Sequence, residues 1–186
     1  VTLQQVKDTV SNISLIDGIS DSQLLMNNAT VHSIDNVDLS KVLALREFTS
    51  SNVIIDEITE SKSNFINVIS TFNDVDLSSS NITVTNNVNM TEADTIDGYN
   101  NTSGTVTLTS ITDNLSNVKI VQNNSNISLT TSAITVTDDV SLSDAIALNG
   151  FTDGLITLQQ VKDTVSNISS IDGIPNSELV MSDAAV

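Results

Sequence analysis

The chain has 186 residues, of which 23 are acidic and 6 basic, so its net charge at neutral pH is −17. This charge opposes binding to nucleic acid and to anionic membrane surfaces, because both attract lysine and arginine. Cysteine is absent, which excludes disulfides and thiolate metal sites. Since no apolar run approaches the roughly 20 residues that span a bilayer, we expect neither membrane insertion nor a nucleic-acid partner.

The chain opens with a stretch that returns near its end. LQQVKDTVSNIS occupies Leu3–Ser14 and again Leu158–Ser169. Residues 1–31 align with 156–186 without a gap, and 22 of the 31 positions are identical. This pattern indicates a block of 155 residues that has been duplicated.

A shorter repeat lies inside that block, in residues 37–65, 88–118 and 140–168. Four sets of apolar and aromatic positions correspond between the three stretches: Leu39, Met90 and Leu142; Val42, Ala93 and Ala145; Leu45, Ile96 and Leu148; Phe48, Tyr99 and Phe151. The middle stretch needs two additional residues in its loop, around Asn100–Ser103. These matches predict a repeat unit of about 52 residues.

The first half of each unit predicts a short strand followed by a helix. Ile82–Val84 and Ile134–Val136 place apolar residues at alternate positions, which is typical of a half-buried strand. An acidic corner follows in the last unit, at Thr137–Asp139. Ser141–Leu148 then spaces its apolar residues for about two helical turns, and the turn signal Asn149-Gly150 ends it.

The second half of each unit predicts another strand and another helix. The strand lies at 53–55, 106–108 and 156–158. The helix is predicted from apolar residues four and three positions apart, which are Ile111, Leu115 and Val118 in the middle unit and Val161, Val165 and Ile168 in the last. Each half is a coil of about 26 residues, too short to bury its own apolar face, so copies must stack.

The predicted fold is therefore an α/β repeat solenoid, with a parallel sheet on one side and short helices on the other. A right-handed parallel β-helix and an array of β-sandwiches are the alternatives. We expect one continuous array over residues 1–186, with a part-unit at 1–28, units at 29–81, 82–133 and 134–183, and the start of a further unit at 184–186.

An asparagine recurs at one corner of the predicted coils. The four positions are Asn12, Asn64, Asn117 and Asn167, each preceded by serine and followed by an apolar residue. An asparagine at the same corner of every coil can bond backbone groups of the next coil and form a structural ladder. The alternative is that asparagine is there because it suits turns.

Two stretches, ITVTDDVSLSDAIALNGFTDGLITL and LTSITDNLSNV, resemble tandem repeats of very large bacterial surface or secreted adhesin-like proteins, including cyanobacterial and RTX-associated ones. The resemblance covers nearly the whole chain and implies an extracellular, non-enzymatic stalk, filament or matrix element. The calcium-binding nonapeptide GGxGxD of RTX proteins is missing from the sequence, so the resemblance does not imply calcium binding.

Residues suited to catalysis are few. His32 is the single histidine, so a triad or a histidine metal site lacks partners, and we predict that it is a polar residue at a strand end. The acidic corner Asp138–Asp139 is the candidate for calcium, which takes six to eight oxygen ligands. The equivalent corners read Asn86-Asn87 and Ile34-Asp35, so the ligand set does not repeat. We predict no enzymatic activity and no required cofactor.

The sequence predicts a structural role. We expect a segment of a long extracellular or cell-surface filament, stalk or surface layer that assembles by coil stacking, with other copies or neighbouring repeats as its partners. The alternative is an adhesin that binds a cell-surface receptor or a carbohydrate, with calcium as a stabiliser. The insertion at Asn100–Ser103, beside Tyr99, is where such a ligand is expected.

Overall fold

Strands and helices alternate along the chain. The computed structural model describes residues 1–19, 25–174 and 179–181. Its strands are β1 (Gln5–Asp8), β2 (Thr30–Val37), β3 (Val53–Glu60), β4 (Val75–Asp76), β5 (Asn81–Val84), β6 (Val106–Leu108), β7 (Ser110–Asp113), β8 (Ile127–Ser128), β9 (Ala133–Val140), β10 (Ile156–Val161) and β11 (Leu179–Val180). Its helices are α1 (Val10–Asp17), α2 (Leu39–Phe48), α3 (Lys62–Asn67), α4 (Met90–Asp97), α5 (Leu115–Asn123), α6 (Leu142–Asn149) and α7 (Val165–Asp172), with one 3-10 turn at Ile69–Thr71.

The chain divides into two compact units. The first comprises Val1–Thr83 and Ile96–Val106, and the second comprises Val84–Thr95 and Thr107–Val186. In the first unit β1, β2 and β3 pair in that order, all parallel, and β4 pairs with β3. Residue 31 lies opposite residue 53, and residue 53 lies opposite residue 75, which are offsets of 22 positions. Between β1 and β2 the offset is 25 positions, since residue 6 lies opposite residue 31.

The second unit contains a sheet of the same kind. Its strand order is β7, β9, β10 and β11, again all parallel. Residue 111 lies opposite 134, 134 opposite 156, and 156 opposite 179, so the offsets are 22 or 23 positions. Parallel strands joined through helices confirm the predicted α/β class, whereas sandwich sheets are antiparallel.

The core of each unit lies between its sheet and its helices. Alternate strand residues are buried, such as Val53 and Ile55 in β3, because successive side chains of a strand point to opposite faces. Helices contribute residues three positions apart, such as Ala145 and Leu148 in α6, because these share one helix face. Burying one Leu or Ile side chain is worth about 1.5–3 kcal/mol, and stability in a chain without disulfides depends on many such side chains.

Several strands run further than the sequence pattern predicts. Ile111 and Val161, expected in helices, lie in β7 and β10, and the following helices begin only at Leu115 and Val165. Val165, expected to be a core position, is 83% exposed. The predicted corner at 137–139 lies inside β9. Register shifts between Leu158 and Gln160 in β10 mark bulges that bend the strand and let it continue towards the helix.

Among the described residues, none of the helices is long and apolar enough to cross a bilayer.

Candidate functional site

The helices begin at polar residues that cap them. The side chains of Thr9, Ser61, Asn114 and Thr164 each accept a hydrogen bond from the backbone N–H three positions later. Such N-caps satisfy one of the four backbone donors that the first turn of a helix leaves without an intrahelical partner. The other donors of that turn require acceptors from elsewhere.

A carboxylate at the end of a strand supplies one of these acceptors and joins two helices. Asp113, the last residue of β7, accepts a hydrogen bond at Oδ2 from the backbone N–H of Met90, the first residue of α4 (2.9 Å). Its Oδ1 accepts from the backbone N–H of Asn114 (2.8 Å) and from Nδ2 of Asn117 in α5 (2.8 Å). One side chain therefore holds the beginning of its own helix and that of the helix before it.

The same link recurs in both units. In each case a carboxylate in a strand or just after it accepts from the first N–H of the preceding helix, between 21 and 25 positions earlier: Asp35 from Val10 (3.0 Å), Glu60 from Leu39 (3.0 Å), Asp138 from Leu115 (2.6 Å) and Asp163 from Leu142 (3.0 Å). Negative charge is favourable at a helix N-terminus because the helix dipole is positive there. We call these four side chains, together with Asp113, the linking carboxylates.

The hydrogen bonds accepted by Asp113 and Glu60 change the acidity of these two linking carboxylates. Burial raises the pKa of Asp113, but the bonds from Met90, Asn117 and Asn114 outweigh it, so the pKa lies below its usual range. Glu60 behaves in the same way. Burial raises its pKa, but the hydrogen bonds that it accepts lower the pKa by more, so the pKa lies below its usual range. The charged form is therefore the one that the fold stabilises.

The predicted asparagine ladder has a different geometry from the one expected. Nδ2 of Asn12, Asn117 and Asn167 donates to Oδ1 of the aspartate four positions earlier, at 2.7–2.8 Å, within the same strand–helix segment. Asn64 makes the equivalent side-chain bond to Glu60. The carboxylates instead accept the hydrogen bonds from the neighbouring segment, and asparagines hold three of them in place, namely Glu60, Asp113 and Asp163.

The remaining predicted residues, His32, Asp138 and Asp139, lie beside different partners. His32 is the third residue of β2, and its Nε2 is 2.5 Å from Oδ1 of Asp56 in β3. Of the calcium candidates, Asp138 is a linking carboxylate, and Asp139 lies 3.5 Å from Nζ of Lys162. In the described part of the chain, His, Cys, Asp and Glu side chains form no group of three or more suited to holding a metal ion.

Buried hydroxyl groups form a second set of contacts between neighbouring segments of the chain. The hydroxyl of Ser132 donates to the carbonyl of Leu108, and that of Thr152 donates to the carbonyl of Ser132 (2.7 Å). Thr152 also accepts the N–H of Gly154 (2.8 Å). A Cβ on Gly154 would lie 2.5 Å from the carbonyl oxygen of Ser132, so this glycine is required by the close approach of two backbones.

The two-residue insertion alters this arrangement in the middle unit. Asn100 occupies the position of Thr152, is 1% exposed, and accepts the N–H of Gly104 at Oδ1 (3.0 Å). Its Nδ2 has no hydrogen-bond partner among the described residues. Thr102, inside the insertion, donates from both its N–H (2.9 Å) and its hydroxyl (2.6 Å) to the carbonyl of Ser78. The longer loop is therefore tied down, but one buried donor is left unpaired.

Each unit has an open cavity beside an aromatic ring. The cavity in the first unit has a volume of about 260 Å³ and is lined by Phe72, Asp76 and Tyr99, among others. The cavity in the second unit has a volume of about 290 Å³ and is lined by Phe151 and Asp153, among others. No sequence pattern indicates that Phe72 and Tyr99 share a cavity, because they are 27 positions apart and belong to different repeat units.

Comparisons of the chain with protein-family models, with curated proteins and with solved structures found no match. The site must therefore be interpreted from its own geometry. That geometry offers inter-segment links and small aromatic cavities.

Proposed function

We propose that this chain is a structural repeat segment of a long extracellular filament, stalk or surface-layer protein, in which α/β coils stack as a solenoid. The observation that carries the proposal is the recurrence of the linking carboxylates, Asp35 and Glu60 in the first unit and Asp113, Asp138 and Asp163 in the second. A contact that joins each segment to the one before it can be repeated without limit, which is what an extended array requires.

The strand offsets support the same proposal. Offsets of 22, 23 and 25 positions are close to the coil of about 26 residues inferred from the repeats. The 155-residue block then contains about six coils, and at about 4.8 Å for each strand layer it adds about 30 Å of length. The proposed function is mechanical, because each additional block would extend one continuous core.

The experiment is to lengthen the chain and measure its shape. Proteins with one, two and three copies of residues 1–155 placed before 156–186 are compared by small-angle scattering and by electron microscopy. The proposal expects the longest dimension to increase by about 30 Å for each block at constant cross-section. A radius of gyration that instead grows with the weak power of chain length typical of compact domains would contradict it.

A second candidate function is adhesion, in which the array presents binding sites to a receptor or a carbohydrate. The observation that favours it is the pair of cavities lined by Tyr99 and by Phe151. The two functions are compatible, since a filament can carry ligand sites along its length.

A further inference from the structure

The two cavities are built from equivalent positions of the repeat. Ser70, Ser78, Gly98 and Tyr99 line the first, and residues 52 positions later line the second, namely Gln122, Thr130, Gly150 and Phe151. Four matching positions in two separate units mean that the cavity is a property of the repeat and not an irregularity of one loop.

The lining of the first cavity combines an apolar wall with a few polar groups. Tyr99 and Phe72 contribute half-buried aromatic rings, and Val75 and Leu77 contribute aliphatic surface. Asp76, Ser70 and Ser78 supply a carboxylate and hydroxyls. Sites for small organic ligands have this composition, and ligand-sized pockets begin at about 300 Å³, so a cavity of about 260 Å³ suits a single ring.

Arg46 packs on the ring of Phe72 and holds it in position. The guanidinium of Arg46 lies 3.9 Å from the centroid of the Phe72 ring, and Nε of Arg46 donates to Oδ2 of Asp74 (2.7 Å). One face of the ring therefore already carries a cation, held in place by a carboxylate. This bracing fixes the ring before any ligand arrives, which reduces the entropy lost on binding.

Charge narrows the class of ligand. Asp76 in the first cavity and Asp153 in the second, together with a net charge of −17, disfavour anions. An organic cation would share Phe72 with the guanidinium of Arg46, which repels it. A neutral ligand that has both an apolar face and many hydroxyls avoids both penalties, because its ring packs on the aromatic wall while its hydroxyls bond to carboxylate, amide and hydroxyl groups.

We propose that the cavities beside Tyr99 and Phe151 are binding sites for neutral pyranose sugars, one for each 52-residue unit that carries a glycine before the aromatic residue. The repeat unit at 29–81 lacks this glycine and supplies a natural contrast. There the position before Phe48 is Glu47, where the other two units have Gly98 and Gly150, so a charged side chain stands where the others leave space.

Repetition makes weak sites useful. A single pyranose ring in a shallow cavity is expected to bind with a dissociation constant of about 1 mM, equivalent to about −4 kcal/mol. Sites that repeat along one chain raise the effective concentration of a polysaccharide for each further site, and the overall affinity can increase by about 10²–10⁴. The proposal is independent of whether the array forms a filament.

The chain offers a reporter for the first cavity. Tyr99 is the single tyrosine, and tryptophan is absent, so tyrosine fluorescence reports this wall alone. Methyl glycosides of glucose, galactose and mannose are titrated into the full chain, and at least one of them is expected to change the emission saturably, with a midpoint of about 1 mM. The double variant Tyr99→Phe with Phe151→Tyr moves the reporter to the second cavity and should give a saturable change there as well.

Matched glycine substitutions provide the control. Gly98→Glu introduces the residue that the repeat unit at 29–81 has at this position, Glu47, and fills the cavity. Because no described glycine has positive φ, a side chain there introduces no backbone strain. It should weaken binding at least 10-fold while leaving the circular dichroism spectrum and urea midpoint close to wild type. Gly173→Glu, at the C-cap of α7 and outside both cavities, should bind like wild type.

Three results would overturn the assignment. The first is the absence of a saturable response to any of the three glycosides. The second is a response to tetramethylammonium in place of glycosides, which would assign the cavity to organic cations. The third is an equal response in the Gly98→Glu variant, which would place the interaction elsewhere.

Discussion

The linking carboxylates make Asp113→Ala a sharp test of how neighbouring segments are held together. The substitution removes the acceptor of three hydrogen bonds, from Met90, Asn114 and Asn117. At about 1 kcal/mol of net stability for each bond, the free energy of unfolding should fall by about 3 kcal/mol. With a urea m-value of about 2 kcal/mol/M, the unfolding midpoint should decrease by about 1.5 M.

Asp139→Ala is the matched control. It removes the same charge from an acidic protein, but its side chain is 55% exposed and makes a single ion pair with Lys162 at 3.5 Å. Exposed pairs of this kind are worth about 0–1 kcal/mol, so the midpoint should move by less than half as much as in Asp113→Ala.

Native-state hydrogen exchange gives a local measurement of the same link. The amide of Met90 should lose protection in Asp113→Ala, because its acceptor is gone, whereas it should keep that protection in Asp139→Ala. If the two variants have the same urea midpoint and the same Met90 exchange rate, the carboxylate does not join the segments, and the reasoning from Asp113 to a stacked array fails.

A pH titration tests the linking carboxylates, and a glycine substitution tests the close approach of two backbones. Because the fold lowers the pKa of Asp113 and Glu60, their contribution to stability is complete above the unfolded-state values of about 4 and is lost as pH falls through the lower folded-state values. Urea midpoints measured from pH 6 to pH 2 should therefore decrease, and Asp113→Asn should show a smaller decrease. Gly154→Ala, whose Cβ would lie 2.5 Å from the carbonyl oxygen of Ser132, should cost about 1–3 kcal/mol by overpacking. Gly173→Ala, at 3.6 Å from its nearest backbone oxygen, should cost nothing in the same urea titration.

Helix α6 could be predicted from the sequence because every local signal agrees. Ser141 and Asp144 form a reciprocal capping box, Ala145 and Leu148 lie on the buried face, and Gly150 follows the last turn. The α/β class followed from such segments, since helical spacing and alternating strand spacing occur in turn along the chain.

The boundary between β7 and α5 could not be predicted from apolar spacing alone. Ile111, Leu115 and Val118 are spaced as on one helix face, yet Ile111 belongs to the strand. The deciding signal is polar: Asn114 caps the helix and Asp113 ends the strand. Hydrophobic periodicity does not distinguish a helix from a strand that ends where a helix begins, whereas capping chemistry does.

The hydrogen bonds of the linking carboxylates could not be predicted from the sequence, for a different reason. Asp163 and Leu142 are 21 positions apart, and only the parallel register of β9 and β10 brings them together. The sequence does show that asparagine follows three of the linking carboxylates at a spacing of four, as in Asp163 and Asn167. That spacing locates the corner, but it does not reveal which of the two side chains reaches the neighbouring segment.

The insertion in the middle unit connects stability with the proposed sugar site. At the equivalent position of the other two units a single threonine hydroxyl both donates and accepts, as Thr49 does with the carbonyl of Ala29 and the N–H of Ser51. Asn100 accepts from Gly104 but leaves Nδ2 unpaired among the described residues, an arrangement that costs about 1–3 kcal/mol. The side chains of Thr49 and Thr152 are fully hydrogen-bonded at this position of the repeat. Asn100, the residue next to Tyr99, is the exception among the three. Local departures from a consistent pattern concentrate where function requires them, so the cost at Asn100 is a reason, independent of cavity volume, to look for a ligand at Tyr99.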